Sequence, residues 1–185
     1  TPKPTKKPTP TPVRTKTPTP IYDESTLVDI RVVGDIMCHD NLITASKTAG
    51  GYNFKPWFED IKDTLSGGDL VIANLETTLN GRSSTKFVGY PNFNTPKEIL
   101  DGLKYAGVNM VLTANNHSFD TKYTGLKNTI AEIKAAGLDY TGTYTNRTDY
   151  NTHFIKEING IKIGILNYTY GTNGMEGTIP SDVRP

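Results

Sequence analysis

Apolar and polar positions alternate along this chain with two periods, and the alternation divides it into strands and helices. Val28-Asp29-Ile30-Arg31-Val32-Val33 predicts a first strand over about Leu27 to Gly34, and the apolar runs Leu70 to Ala73 and Val108 to Leu112 predict two more. Helical patterns lie between them. Phe54, Trp57, Phe58, Ile61 and Leu65 recur at helical spacing and stop at Gly67-Gly68, which predicts a sheet-covering helix with Trp57 in the core. Thr95-Pro96-Lys97-Glu98 reads as an N-cap, a first-turn proline and a capping-box glutamate, with Ile99, Leu100 and Leu103 buried and Gly107 as the stop. A further helix from about Thr124 to Ala136 turns Leu126, Ile130 and Ile133 inward and ends at Gly137. Leu138 to Tyr144 follows as a fourth strand. His153 to Ile158, Asn159-Gly160 and Ile161 to Tyr168 form a hairpin, because Asn-Gly supplies the positive φ angles of a type I′ turn. Strands alternating with helices, then a hairpin, predict an α/β fold with a mixed sheet and flanking helices.

The polar residues that interrupt this pattern fall directly after the strands. In open α/β sheets ligands bind beyond the carboxyl ends of the strands. Gly34-Asp35 follows the first strand, Asn74-Leu75-Glu76 the second, and Thr113-Ala114-Asn115-Asn116-His117-Ser118-Phe119-Asp120 the third. Asp35, Glu76 and His117 stand 41 residues apart, so one parallel sheet brings all three clusters to one rim. Asp35 and Glu76 are hard oxygen donors, and an Asn carbonyl can join them. Such a set suits Mn²⁺, Mg²⁺, Fe or Zn²⁺ better than a thiolate-preferring metal. A metal held there lowers the pKa of a bound water and polarises a phosphoryl or carbonyl oxygen, and His117 beside it can protonate a leaving group. Each residue also has a plainer reading. An acid after a strand often caps a helix or accepts loop hydrogen bonds, and Asn116-His117 can simply hold a turn. His39 is a ligand, a partner of Asp35 or an exposed loop residue; His153 is structural, and Cys38 is a small buried side chain. The polar loop from Thr77 to Asn94 is long enough to be functional or mobile, and suited to closing over a site.

Composition changes the picture mainly at one end. Residues 1–20 are seven Pro, seven Thr, five basic residues and one Val, which cannot bury a core and favour extended polyproline II. Residues 1–22 are therefore a linker and 23–185 a single domain. Pro/Thr tracts of this kind tether bacterial surface domains to a membrane anchor or to the wall, which would place the domain on the extracellular face with its anchor upstream; a plain exposed tail is the alternative. No apolar run of about 18 residues is present, so no transmembrane helix lies within the chain. Five of the 20 basic residues and none of the 19 acidic ones belong to the tract, so the remainder is mildly acidic. It lacks the clustered basic face of a nucleic-acid-binding domain. The single cysteine excludes an intrachain disulfide. With neither an initiator Met nor a signal peptide, and a low-complexity opening, the chain reads as a piece of something longer.

Val33-Gly34-Asp35-Ile36-Met37, Ala73-Asn74-Leu75-Glu76 and Ala114 to Asp120, followed by Gly125-Leu126 and Ala136-Gly137, resemble the bacterial poly-γ-glutamate capsule synthesis protein family of the CapA type. The resemblance runs from about Leu27 to Tyr170. That family is similar in turn to calcineurin-like metallophosphatases, which implies an α/β/β/α sandwich with a two-metal site at the strand ends. By the resemblance Asp35 is a metal ligand, Glu76 or Asn74 takes the place of the bridging acid, Asn116 is a ligand and His117 the proton donor. His39 stands four residues after Asp35 where those enzymes have Asp-x-His, and Asn115 stands where Gly is usual. Their later His motifs are missing, so the chain reads as the N-terminal part of the fold, with two metal ions expected in the complete domain. The implied function is a surface-anchored, metal-dependent hydrolase in capsular poly-γ-glutamate synthesis, export or anchoring. Its substrate would be a phosphoester or an amide, and its partners the anionic polymer and other capsule-assembly proteins. The alternative from another class is a non-catalytic polymer-binding or scaffold module that holds polymer carboxylates through a bridging cation.

Overall fold

The computed structural model describes residues 26–84 and 86–181. The expected linker at 1–22 lies outside the described residues. In chain order the elements are β1 (Ile30–Ile36), α1 (Asp40–Ala45), a small hairpin of β2 (Lys47–Thr48) and β3 (Gly51–Tyr52), and a 3-10 turn (Lys55–Phe58) that runs into α2 (Glu59–Leu65). Then come β4 (Leu70–Leu75), α3 (Ile99–Tyr105), β5 (Met110–Leu112), α4 (Lys122–Ala136), β6 (Asp139–Thr141), α5 (Arg147–Tyr150), β7 (Phe154–Ile158) and β8 (Ile161–Ile165).

The protein is an α/β structure whose parallel sheet, ordered β1-β4-β5-β6, is flanked by helices. The antiparallel strands β7 and β8 form their own two-stranded sheet, so parallel and antiparallel pairing is divided between two sheets and not mixed within one. β4 is apolar at every one of its first four positions because both its faces are covered, as in buried parallel strands. Val71 and Ala73 join the helix-side core with Phe54, Phe58, Leu103 and Ile133. Leu70 and Ile72 point the other way and, with Met110, pack under Phe154, Ile158, Ile163 and Ile165 of the hairpin. Helices, parallel sheet and second sheet are three of the four layers that the resemblance implies. The fully buried Leu70, Val71, Leu103, Met110 and Ile133 side chains each contribute roughly 1.5–3 kcal/mol of transfer free energy.

The Asn159-Gly160 turn has both φ angles positive, at 50° and 75°, as the type I′ geometry demands. α4 buries Leu126, Ile130 and Ile133 and closes on Gly137 in the left-handed conformation. Three expectations need correction. Trp57 is not core: it is 51% exposed, with its ring N–H donating to Ser46 Oγ at 2.8 Å, because the segment starts as a 3-10 turn that rotates the ring outward. The capping box on Thr95 does not form, since the Thr95 hydroxyl is paired with Thr77 Oγ1 at 2.8 Å and α3 begins only at Ile99. The stretch after β4 is no free lid. Glu76 to Asn80 are all buried, Thr78 and Val88 bridge to Asn94, and Asn94 Oδ1 accepts from Asn80 N at 2.8 Å.

Candidate functional site

β1, β4 and β5 are neighbours and run parallel, so their carboxyl ends share one rim. Asp35 reaches it by a local irregularity. Val33 pairs with Ala73 and Ile36 with Leu75, which leaves Gly34 and Asp35 opposite Asn74 alone. Such a bulge re-aims a side chain, and here it turns the Asp35 carboxylate onto its neighbour strand. Asn74 Nδ2 donates to Asp35 Oδ1 at 2.6 Å and to Glu76 Oε2 at 3.1 Å, so one amide spans two carboxylates. Asn74 Oδ1 in turn accepts from Asn115 Nδ2 at 3.1 Å. That same Nδ2 donates to Leu75 O at 2.9 Å, and Asn115 Oδ1 accepts from His117 N at 3.1 Å. An unbroken hydrogen-bonded chain therefore links β1, β4 and the turn after β5.

The His117 ring is held on two sides. Nδ1 is 2.7 Å from Asp120 Oδ2, an oxygen that also accepts from Phe93 N at 2.6 Å, and the ring meets Phe93 at right angles with centroids 4.8 Å apart. With the carboxylate as acceptor, Nδ1 carries a proton and Nε2 is turned to the rim, 4.0 Å from Glu76 Oε1. Burial raises the Glu76 carboxyl above the usual range and the nearby Asp35 charge adds to it, against the opposing effects of His117 and Asn74. Burial also raises Asp120, against the Phe93 N–H and His117. Two acids are thus crowded at one point, an arrangement that a cation would relieve. The donor chemistry, two carboxylates with amide oxygens nearby, fits a hard divalent metal. Asp35 and Glu76 are the residues that would hold it. Among the described residues no three His, Cys, Asp or Glu side chains are grouped closely enough to hold a metal ion between them, so these two supply part of a shell.

A family model described as bacterial capsule synthesis protein PGA_cap matches residues 29–183. The chain belongs to this family. It is 27% identical over 152 residues to "Capsule biosynthesis protein CapA" of Bacillus anthracis, covering 79% of this chain and 36% of that protein. It is 25% identical over 139 residues to "PGA biosynthesis protein CapA" of Bacillus subtilis (strain 168), covering 74% and 36%. With "Uncharacterized protein y4sH" of Sinorhizobium fredii (strain NBRC 101917 / NGR234) it shares 27% identity over 153 residues, 80% of this chain and 31% of that one. The chain spans about a third of the length of the curated relatives it matches.

Of the six site residues read from the sequence of this PGA_cap chain, the structure brings Asp35, Asn74, Glu76 and His117 together. Asn116 and His39 stand apart from the hydrogen-bonded chain. The Asn116 amide donates to Asn173 Oδ1 at 3.3 Å, toward the C-terminal segment. His39 is exposed at the start of α1 and meets the far side of Phe93, with centroids 5.2 Å apart. Sequence reasoning assigned no role to Asn115, Asp120 or Phe93. Asp120 had a signal, three residues after His117 and within one turn's reach. The resemblance singled out Asn116 and gave Asn115 no role, and Phe93 arrives from a loop remote in the chain.

Proposed function

We propose that this chain serves capsular poly-γ-glutamate synthesis, export or anchoring at the bacterial cell surface, with the Asp35–Asn74–Glu76–His117 rim as a metal-dependent hydrolase centre. The observation that carries the reading is the positioned imidazole: Asp120 fixes Nδ1 and leaves Nε2 facing the Glu76 carboxylate, which Asn74 links to Asp35. A divalent cation of the Mn, Fe, Zn or Mg type, held by Asp35 and Glu76, would supply Lewis acidity and an activated water. Asn74 keeps the two carboxylates in place. Asn115 sets the turn so that His117 faces them, and His117 Nε2 delivers the proton to the leaving group, with Asp120 stabilising the charged ring. The bond cleaved is a phosphoester or an amide, and the names of the CapA relatives support the polymer as the context.

The test is turnover of poly-γ-glutamate and of 4-nitrophenyl phosphate by metal-supplemented protein. His117→Ala should lower the rate by about 10²-fold or more, the usual contribution of a positioned general acid, while the circular dichroism spectrum stays unchanged. Equal activity in the variant sinks the assignment. Polymer binding that depends on Asp35 without any turnover transfers the rim to the alternative role, a polymer-binding module of capsule assembly.

A further inference from the structure

Behind the turn that carries Asn116 and His117 lies a cavity of about 210 Å³ that the proposed chemistry does not use. Ala114, Phe119 and Leu126 wall it on one side, and Tyr144, Tyr168 and Ile179 on the other. No charged side chain lines it, on a protein in which about one residue in five is charged. The two walls are fastened to each other. Asn167 Oδ1 accepts from Ala114 N at 2.7 Å while its Nδ2 donates to Ala114 O at 3.3 Å, so one side-chain amide acts as a strand partner for the turn. Gly142 makes room for this clamp, since a Cβ there would lie 2.1 Å from Asn167 Oδ1 and 2.6 Å from Ala114 N. Thr172 also lines the cavity, and its hydroxyl is the one buried side-chain polar atom without a hydrogen-bond partner among the described residues.

We infer that this cavity is a binding site for an uncharged, ring-sized group with a single hydrogen-bonding atom. An apolar cavity of about 150 Å³ takes up benzene, so this one has room for a six-membered ring and a substituent. Tyr and Phe walls favour ring contact, and the Thr172 hydroxyl offers a buried polar partner. The absence of any cation in the wall disfavours a carboxylate or phosphate, because an anion there would give up part of its hydration without compensation. The site is therefore distinct in chemistry from the rim, and unsuited to poly-γ-glutamate, which carries a carboxylate on every unit.

The test is a titration of the ¹⁵N-labelled chain with 4-methylphenol, followed through the amides of Ala114, Phe119, Gly142 and Thr172. Saturable shifts at these amides are expected, with 4-hydroxybenzoate binding at least about tenfold more weakly. Ile179→Trp, a partly exposed position, should fill the cavity and abolish the shifts without unfolding the protein. Thr172→Val should weaken 4-methylphenol and leave toluene unaffected. Asp35→Ala should leave the titration unchanged, so a failure of the rim reading is separable from a failure of this one. No saturable shift, equal binding of 4-hydroxybenzoate, or undiminished binding by Ile179→Trp would overturn the inference.

Discussion

Replacing Asn115 by leucine tests whether the hydrogen-bonded chain holds the rim. The two side chains have the same number of heavy atoms, so no large cavity opens and the change is confined to polarity. Asn115 is 7% exposed and makes three hydrogen bonds, to Asn74 Oδ1, Leu75 O and His117 N. At about 1 kcal/mol net per bond the loss is about 3 kcal/mol, rising toward 5 where the freed groups stay dry, since an orphaned buried group costs about 1–3. Leu75 is 1% exposed and His117 8%, so the upper part of that range applies. With a urea m value of about 2 kcal/mol/M, the unfolding midpoint should fall by about 1.5–2.5 M. Asn116→Leu is the internal control: its neighbour gives up one bond of 3.3 Å at a part-exposed site and should cost under about 1 kcal/mol. Equal midpoints for the two variants at unchanged m would refute the reasoning, because the three buried hydrogen bonds would then carry no more weight than one exposed bond.

Two other expectations concern titrating groups. Glu76 favours its neutral form in the folded state, so folding takes up a proton and the wild type loses stability as pH rises from the ordinary glutamate value through the raised folded one. Glu76→Gln has no such loss, and in chelator-treated protein its melting temperature should gain on the wild type across that window; parallel curves would show that the acid is not perturbed. The Cys38 thiol is 3% exposed and is pushed up to about 11 by burial, with the Thr95 hydrogen bond opposing. Its contribution to stability is complete below the ordinary thiol value of 9.0 and is lost as pH rises toward 11, and a thiol reagent in mildly alkaline buffer should label the protein only on adding denaturant. Full labelling of the native protein would contradict that burial.

What could be read in advance was whatever depends on local pattern. The apolar run of β4, the glycine stop of α4 and the Asn-Gly turn each carry their signal within a few residues, and each formed. Failures came where a distant group claimed a side chain. Thr95 had the right neighbours for a capping box, but Thr77 takes its hydroxyl. Trp57 had the right spacing for the core, but the 3-10 turn changes the angle per residue on which that spacing was judged. The polar composition of 77–94 suggested mobility, whereas its Thr and Asn side chains are spent on internal hydrogen bonds. The strand-end rule brought Asp35, Asn74, Glu76 and His117 to one rim because it concerns topology. It could not choose between Asn115 and Asn116, which differ only in which way the turn points them.

β1 is the edge of the parallel sheet, and this sets how the rim fails. Ile30 and Val32, in register with Leu70 and Ile72, are 45% and 63% exposed, while their partners on β4 are at most 6% exposed. Among the described residues β4 is the one strand that pairs with β1. Strands with one partner and little buried surface open at free energies well below that of global unfolding. Asp35 rides on such a strand, whereas Asn74, Glu76 and His117 hang from the buried centre. Heating should therefore open the rim from one side: Asp35 leaves Asn74 and Glu76 while the rest of the fold persists, before any global signal of unfolding.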